Sequence, residues 1–272
     1  MGNLLKAFFF KLKRDLTFRI TLIVAGCVAL FMMTVFLLGE HFTGADDLVC
    51  NGSFMFTFSF TPYTSLGIAI PINLINFTVL EFSSGIIRNK IIAGNSKFKL
   101  YLSIFVSGLI FMLLLLFAYV GFSTLLGIIC GGFDPSGLGY VGLGVGLMSP
   151  EYLYKFFITC VFVYITVTAF TIFISTVLRT IGPCIPICIV STMILSLALP
   201  TIVSGIQQLK EQIGLAACYI NPFQVMMAPE VGDNLRATIT NEMMVATTVC
   251  NVFWTLLFTG FGTLIFVKRD VK

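Results

Sequence analysis

Six stretches of this chain are long and apolar enough to cross a lipid bilayer, and they leave little room for anything else. They run over Ile20–Leu38, Tyr63–Ile87, Leu100–Ile129, Tyr152–Leu178, Ile181–Val203 and Met243–Val267. About 20 apolar residues suffice to span the hydrocarbon core. No water is present there to satisfy the backbone, so each stretch is expected to be a helix that satisfies its own N–H and C=O groups. Charged residues make up 10% of the 272 residues, against about 25% in a soluble domain. The expected fold is an all-α polytopic membrane protein with one transmembrane domain over residues 1–272 and no large water-soluble domain.

The charges set the expected topology. With both termini on the cytoplasmic side, the inside segments hold Lys6, Lys11, Lys13, Arg14, Arg19, Arg88, Lys90, Lys97, Lys99, Arg179, Lys268, Arg269 and Lys272. Only Lys155, Lys210 and Arg236 remain outside, together with most of the acids. That asymmetry follows the positive-inside rule. The net charge of +4 therefore speaks to orientation and not to a nucleic-acid partner.

Between the spans, residues 3–18 place Leu5, Phe8, Phe9, Leu12 and Leu16 at helical spacing and the basic residues elsewhere on the wheel, with Phe10 breaking the pattern. This predicts an amphipathic helix lying on the membrane surface in contact with lipid. The apolar run behind it is too long for the core of a secretory signal. Phe54–Phe60 reads as a reentrant or interfacial piece, or as an early start of the second span. In that second span Asn73 and Asn76, three apart, share a face that is expected to turn inward, because polar groups at membrane depth are costly elsewhere. That face either binds helix to helix or lines a substrate path. The glycine-rich stretch Cys130–Glu151 is expected to be a flexible outside loop, and the third span, longer than needed, to tilt or project. Arg179–Pro183 makes a tight inside turn. Residues 204–242 form an outside segment whose apolar piece, Ile213–Ile220, is too short to cross. Most cysteines fall in apolar runs and read as small hydrophobes. Cys184 and Cys188 share a helix face without further ligands for a metal, and a bond between Cys50 and Cys130 is left open.

The segment most loaded with one sign of charge inside the chain is Glu81–Ser103, with Arg88, Lys90, Lys97 and Lys99. A helix stopped by Gly94 in the left-handed conformation, followed by Asn95 or Ser96 capping the next helix, makes a basic elbow just outside the bilayer over residues 88–99. Glu81 is expected to pair with a nearby Arg or Lys. A basic loop kept inside by its charge alone is the plainer reading of this segment.

The run Glu81, Gly85, Arg88, Asn89, Lys90, Ala93, Gly94, Ser96 and Lys97, set before a hydrophobic span, resembles the permease subunits of ABC type-2 transporters. The six-span layout, the amphipathic N-terminus and the basic end Phe266–Asp270 extend that resemblance over nearly the whole chain. It implies an N-terminal elbow helix, a cytoplasmic coupling helix between spans 2 and 3, and short reentrant helices between spans 5 and 6. It also implies docking of Glu81, Gly85, Arg88, Asn89, Lys90, Ile91, Ala93, Gly94, Ser96 and Lys97 on a separate cytoplasmic ABC ATPase, present in two copies. A second permease, the same chain or a paralogue, would complete the path. Since no GxxxxGK[ST] loop occurs here, ATP and Mg are expected in the partner subunit, and this chain is expected to bind no cofactor and catalyse no reaction. The low charge and high aromatic content of the spans suit a hydrophobic or amphipathic cargo. Within the family the chain looks most like short bacterial permeases for antimicrobial-peptide export or self-protection. Export of a lipid-linked glycan or small drug is the alternative, with ion-coupled transport or a non-transporting scaffold behind it.

Overall fold

A computed structural model describes residues 8, 10, 12, 14, 16–43, 51–61, 65–83, 85–136, 138–141, 144–194, 230–231 and 237–268. Among them are eight helices. These are α1 (Leu16–Thr43), α2 (Gly52–Phe60), α3 (Ser65–Ser83), α4 (Ile86–Ile92), α5 (Lys97–Gly131), α6 (Pro150–Leu178), α7 (Ile181–Met193) and α8 (Asn241–Lys268). Two short antiparallel pairs join them: β1 (Leu138–Val141) with β2 (Gly144–Leu147), and β3 (Glu230–Val231) with β4 (Ala237–Thr238). Four helices are long and apolar enough to cross a membrane, over Phe18–Gly39, Lys97–Gly131, Pro150–Leu178 and Asn241–Lys268. Together α3 and α4 make a fifth candidate, bent by 52°. The chain is a multi-pass, almost wholly helical membrane protein. The described part of the fifth expected span is the 13-residue α7, and its continuation to Val203 lies outside the described residues, as do most of 204–242 and Cys50.

Two helices form the centre and two face outward. In α6, 61% of the apolar window is buried inside the protein, and in α5 56%, against 11% in α1 and 17% in α8. The central helix α6 starts at a Ser149 cap, whose Oγ accepts from Tyr152 N at 3.1 Å, with Pro150 in the first turn. It stops at Arg179, which adopts φ 56°. Its buried face is rich in Thr and Ser hydroxyls, and these bond back along the helix. Thr159, Thr168, Thr171, Ser175 and Thr176 each donate to the carbonyl one turn back, at 2.7 to 2.9 Å. This back-bonding lets Thr and Ser sit in an apolar interior. Thr166 Oγ1 lies 3.0 Å from Phe162 O in the same way, and it also lies 2.9 Å from Asn251 Oδ1 and 3.1 Å from Thr255 Oγ1 on α8, while Asn251 Nδ2 donates to Thr247 O at 2.8 Å. A polar knot thus fixes α8 against α6 in an otherwise apolar contact.

The short helix α2 is a separate element, capped by Asn51, whose Oδ1 accepts from Phe54 N at 2.7 Å. Its first turn is pinned to the end of α5 by Gly52 N donating to Gly132 O at 2.7 Å and by Ser53 Oγ donating to Asp134 O at 2.6 Å. Gly127 makes this approach possible: a Cβ there would sit 2.9 Å from Asn51 O and from Gly52 Cα. The helix then fills the space beside α1 and α6, Phe36 meeting Phe54 at 5.1 Å and Phe60 meeting Phe157 at 5.3 Å between ring centroids.

Several expected boundaries and one expected loop need correction. The second span stops at Ser83, and Ile86–Ile87 already belong to α4, because Gly85 at φ 68° breaks the helix. The elbow helix therefore begins before residue 88, and Lys97–Lys99 are the first turn of α5. The glycine-rich segment contains a hairpin with Leu138 opposite Leu147 and Val141 opposite Gly144. Its glycines alternate with Leu138, Tyr140, Val145 and Leu147, a period of two that suits a strand pair. Near the N-terminus, Phe8 and Leu12 are buried, Phe8 lying edge-on to Phe77 of α3 at 5.4 Å. Leu16, placed on the same face by spacing, is 68% exposed, having already entered α1. Phe10 is exposed beneath the Arg14 guanidinium, 4.3 Å from its ring centroid.

Gly127→Ala is expected to destabilise the protein by roughly 1–3 kcal/mol through overpacking, despite alanine's better helix propensity. Gly121→Ala on the same helix, with nothing within 4 Å of the added carbon, is expected to be neutral or to gain up to about 1 kcal/mol. Denaturant titration in detergent checks both, and equal responses would contradict the α2–α5 contact.

Candidate functional site: the basic elbow

The elbow is a turn between two glycines that both adopt left-handed conformations. Gly85 at φ 68° lets the chain leave α3, and Gly94 at φ 88° lets it leave α4. At the second turn Gly94 N donates to Ile91 O at 2.9 Å and Asn95 N to Lys90 O at 3.4 Å. These are the paired bonds of a Schellman motif, which closes a helix where glycine carries no Cβ penalty. Asn95 Nδ2 adds a second donor to Lys90 O at 2.9 Å. Ser96 then opens α5, its carbonyl accepting from Leu100 N at 3.1 Å and its Oγ from Lys99 N at 3.4 Å.

The seven residues of α4 divide by face. Ile87 is fully buried and Ile91 partly so, in a cluster with Leu100, Tyr101, Ile104, Ile172 and Phe266. Arg88 and Asn89 are exposed, as are Ala93, Gly94, Ser96 and Lys99, while Lys97 is half-buried. Buried Glu81 near the end of α3 and Lys90 form an ion pair at 3.1 Å. That pair ties the elbow helix back to the helix it bends away from and removes Lys90 from the free cationic surface. Lys97 Nζ donates to Val267 O at 3.1 Å, near the end of α8. Close by, the Arg179 guanidinium lies over the Phe82 ring at 5.5 Å. The result is a short projecting turn with Arg88 and Lys99 at its surface, flanked by Ile92 at 73% and Phe98 at 58% exposure. Such a surface can enter a groove that offers both apolar contact and acidic partners.

Asn73 and Asn76 lie away from the elbow, both half-buried in α3. Asn73 Oδ1 accepts from Thr21 Oγ1 of α1 at 2.7 Å, and its Nδ2 donates to Ala69 O at 2.8 Å. Its polar atoms are thus engaged between two helices. Two features escaped sequence reasoning. Lys155, counted as a charge of the outside segments, is buried in α6, with Nζ 2.6 Å from Glu151 Oε1 and 2.7 Å from Ile239 O. It borders a cavity of about 310 Å³ shared with Ser149, Tyr152, Thr240 and Asn241. The i,i+4 spacing of Glu151 and Lys155 was the available signal. The second is the contact of Tyr101 with Gly262 and Phe266 under the elbow, which no local pattern announces. Among the described residues Cys130 is unbonded, and Cys184 and Cys188 are free and buried.

Comparison with protein-family models, with curated proteins and with solved structures returns no match.

Replacing Asn73 by Leu and Thr21 by Val, singly and together, is expected to give a coupling free energy of about 0.6 kcal/mol, the size of a typical interhelical hydrogen bond in a membrane. Additive effects in that cycle would mean the bond does not hold α1 to α3. For Glu81→Gln and Lys90→Met the same cycle is expected to give about 1 kcal/mol or more, since Glu81 is buried and either single change strands a charge or a donor.

Proposed function

We propose that this chain is the membrane-spanning permease subunit of an ABC transporter in a bacterial cell membrane, with six spans and both termini cytoplasmic. The observation that carries the reading is the elbow: a rigid, glycine-bounded helix between two membrane helices, projecting Arg88, Asn89 and Lys99 while anchored through Ile87 and the Glu81–Lys90 pair. A docking element has to be exposed at its tip and stiff at its root, and this one is both. The energy for transport comes from ATP and Mg bound in a separate ATPase, two copies of which dock on two permease chains. Nucleotide closes the ATPase pair, and the elbows turn that closure into a rearrangement of the spans. The cargo is hydrophobic or amphipathic, a peptide before a lipid-linked glycan or small drug, because the described spans present apolar and hydroxyl-bearing side chains and very few charges.

Arg88→Glu and Gly94→Pro test the assignment from two sides. The first reverses charge on the exposed face; the second imposes φ near −65° where the turn needs 88°. Both variants are expected to insert in the membrane and stay monodisperse while losing at least tenfold in stimulation of the ATPase. Cargo-dependent ATP hydrolysis at the wild-type rate in either variant would remove the elbow from the docking surface.

A further inference from the structure

The inner cluster beneath the elbow contains a contact that is incomplete as it stands. The Tyr101 ring, fully buried in the second turn of α5, stands against α8 at Gly262, where an added Cβ would lie 1.9 Å from Tyr101 Oη. Phe266 flanks it at 5.8 Å between centroids, and Ile87 of the elbow helix shares the same cluster. Yet Tyr101 Oη is buried with no hydrogen-bond partner. So is Thr259 Oγ1 on α8. A buried hydroxyl without a partner is costly in a water-free interior. Thr259 and Gly262 are neighbours at i,i+3 on the helix surface, about 4.5 Å apart along its axis.

We propose that α5 and α8 have two registers at this contact: the one seen here, with Tyr101 over Gly262, and a second in which Tyr101 Oη donates to Thr259 Oγ1. Gly262 admits the first register because it has no side chain, and the second satisfies both stranded hydroxyls. A polar link between these two helix ends, Lys97 Nζ to Val267 O, comes from a long flexible side chain that can follow a shift of about one turn. Because Tyr101 and Ile87 pack in one cluster, a change of register displaces the elbow helix. The position of the elbow and the register of α5 along α8, itself held on α6 by Thr166, are thus two readouts of one equilibrium. Its use in coupling rests on the transporter reading, through which a docked ATPase would bias one register; the two-state contact itself does not.

The test uses the full chain in lipid nanodiscs, uniformly labelled with 3-fluorotyrosine and read by fluorine NMR. The chain has eight tyrosines, and the Tyr101 signal is the one missing from Tyr101→Phe. Wild type is expected to show two Tyr101 lines, or one exchange-broadened line. Thr259→Val should leave only the Gly262-register line. Gly262→Ala, which sterically expels the ring, should leave only the other. A single sharp Tyr101 line in wild type overturns the proposal, whether Thr259→Val shifts it (a permanent bond) or leaves it in place (no bond). If Gly262→Ala does not fold, the wild-type and Thr259→Val spectra decide alone. Failure to find an ATPase partner would overturn the transporter reading while leaving these spectra as they are.

Discussion

The rest of this structure depends on the way α6 disposes of its polar groups. A helix that carries six buried Thr and Ser residues and still sits at the centre of a membrane protein must satisfy each hydroxyl without water. All six turn back on their own helix, and Thr166 also reaches out, to Asn251 and Thr255 of α8. Other packing partners meet α6 through aromatic contacts such as Phe60 with Tyr164 and Phe117 with Phe157. Non-directional packing places the helices side by side; one polar knot fixes how α8 sits on α6. Lys155 adds a second fixed point at the far end, where its buried ammonium holds the carbonyl of Ile239 just before α8 begins.

At the opposite end the same economy produces the elbow. Two left-handed glycines define a turn that no β-branched or bulky residue would allow, and the intervening helix is rooted by one buried isoleucine and one ion pair. The contrast between a fixed root and an exposed tip is what supports the docking role proposed for this turn. It also explains why the elbow helix α4 and the inner ends of α5 and α8 form one cluster: Ile87, Tyr101 and Phe266 each come from a different helix.

The parts of this fold legible in the sequence were those set by local chemistry. The Gly94 stop, the Ser96 cap and a basic partner for Glu81 could be read from neighbouring residues, because the left-handed turn, the cap and the ion pair each involve groups within ten positions. The apolar lengths of α1, α5, α6 and α8 followed from hydropathy alone. What escaped was set by distance. Gly85 gave no sign that it would end α3 early, since a lone glycine in an apolar run is common in membrane helices. The hairpin at 138–147 was hidden by its glycine content, although its apolar residues alternate. The burial of Lys155 requires a carbonyl 84 residues away, and the Tyr101–Gly262 contact joins helices at opposite ends of the chain. None of these leaves a local trace strong enough to outweigh the plain reading of its segment.

The central claim is that the elbow serves a separate ATPase, and the most direct measurement is purification of the tagged full chain from its native membrane in mild detergent, with mass identification of what accompanies it. The account predicts a cytoplasmic ATPase in equal stoichiometry with the membrane chains, together with either this chain alone or this chain and a second membrane subunit. A monodisperse preparation that carries no ATPase would contradict it.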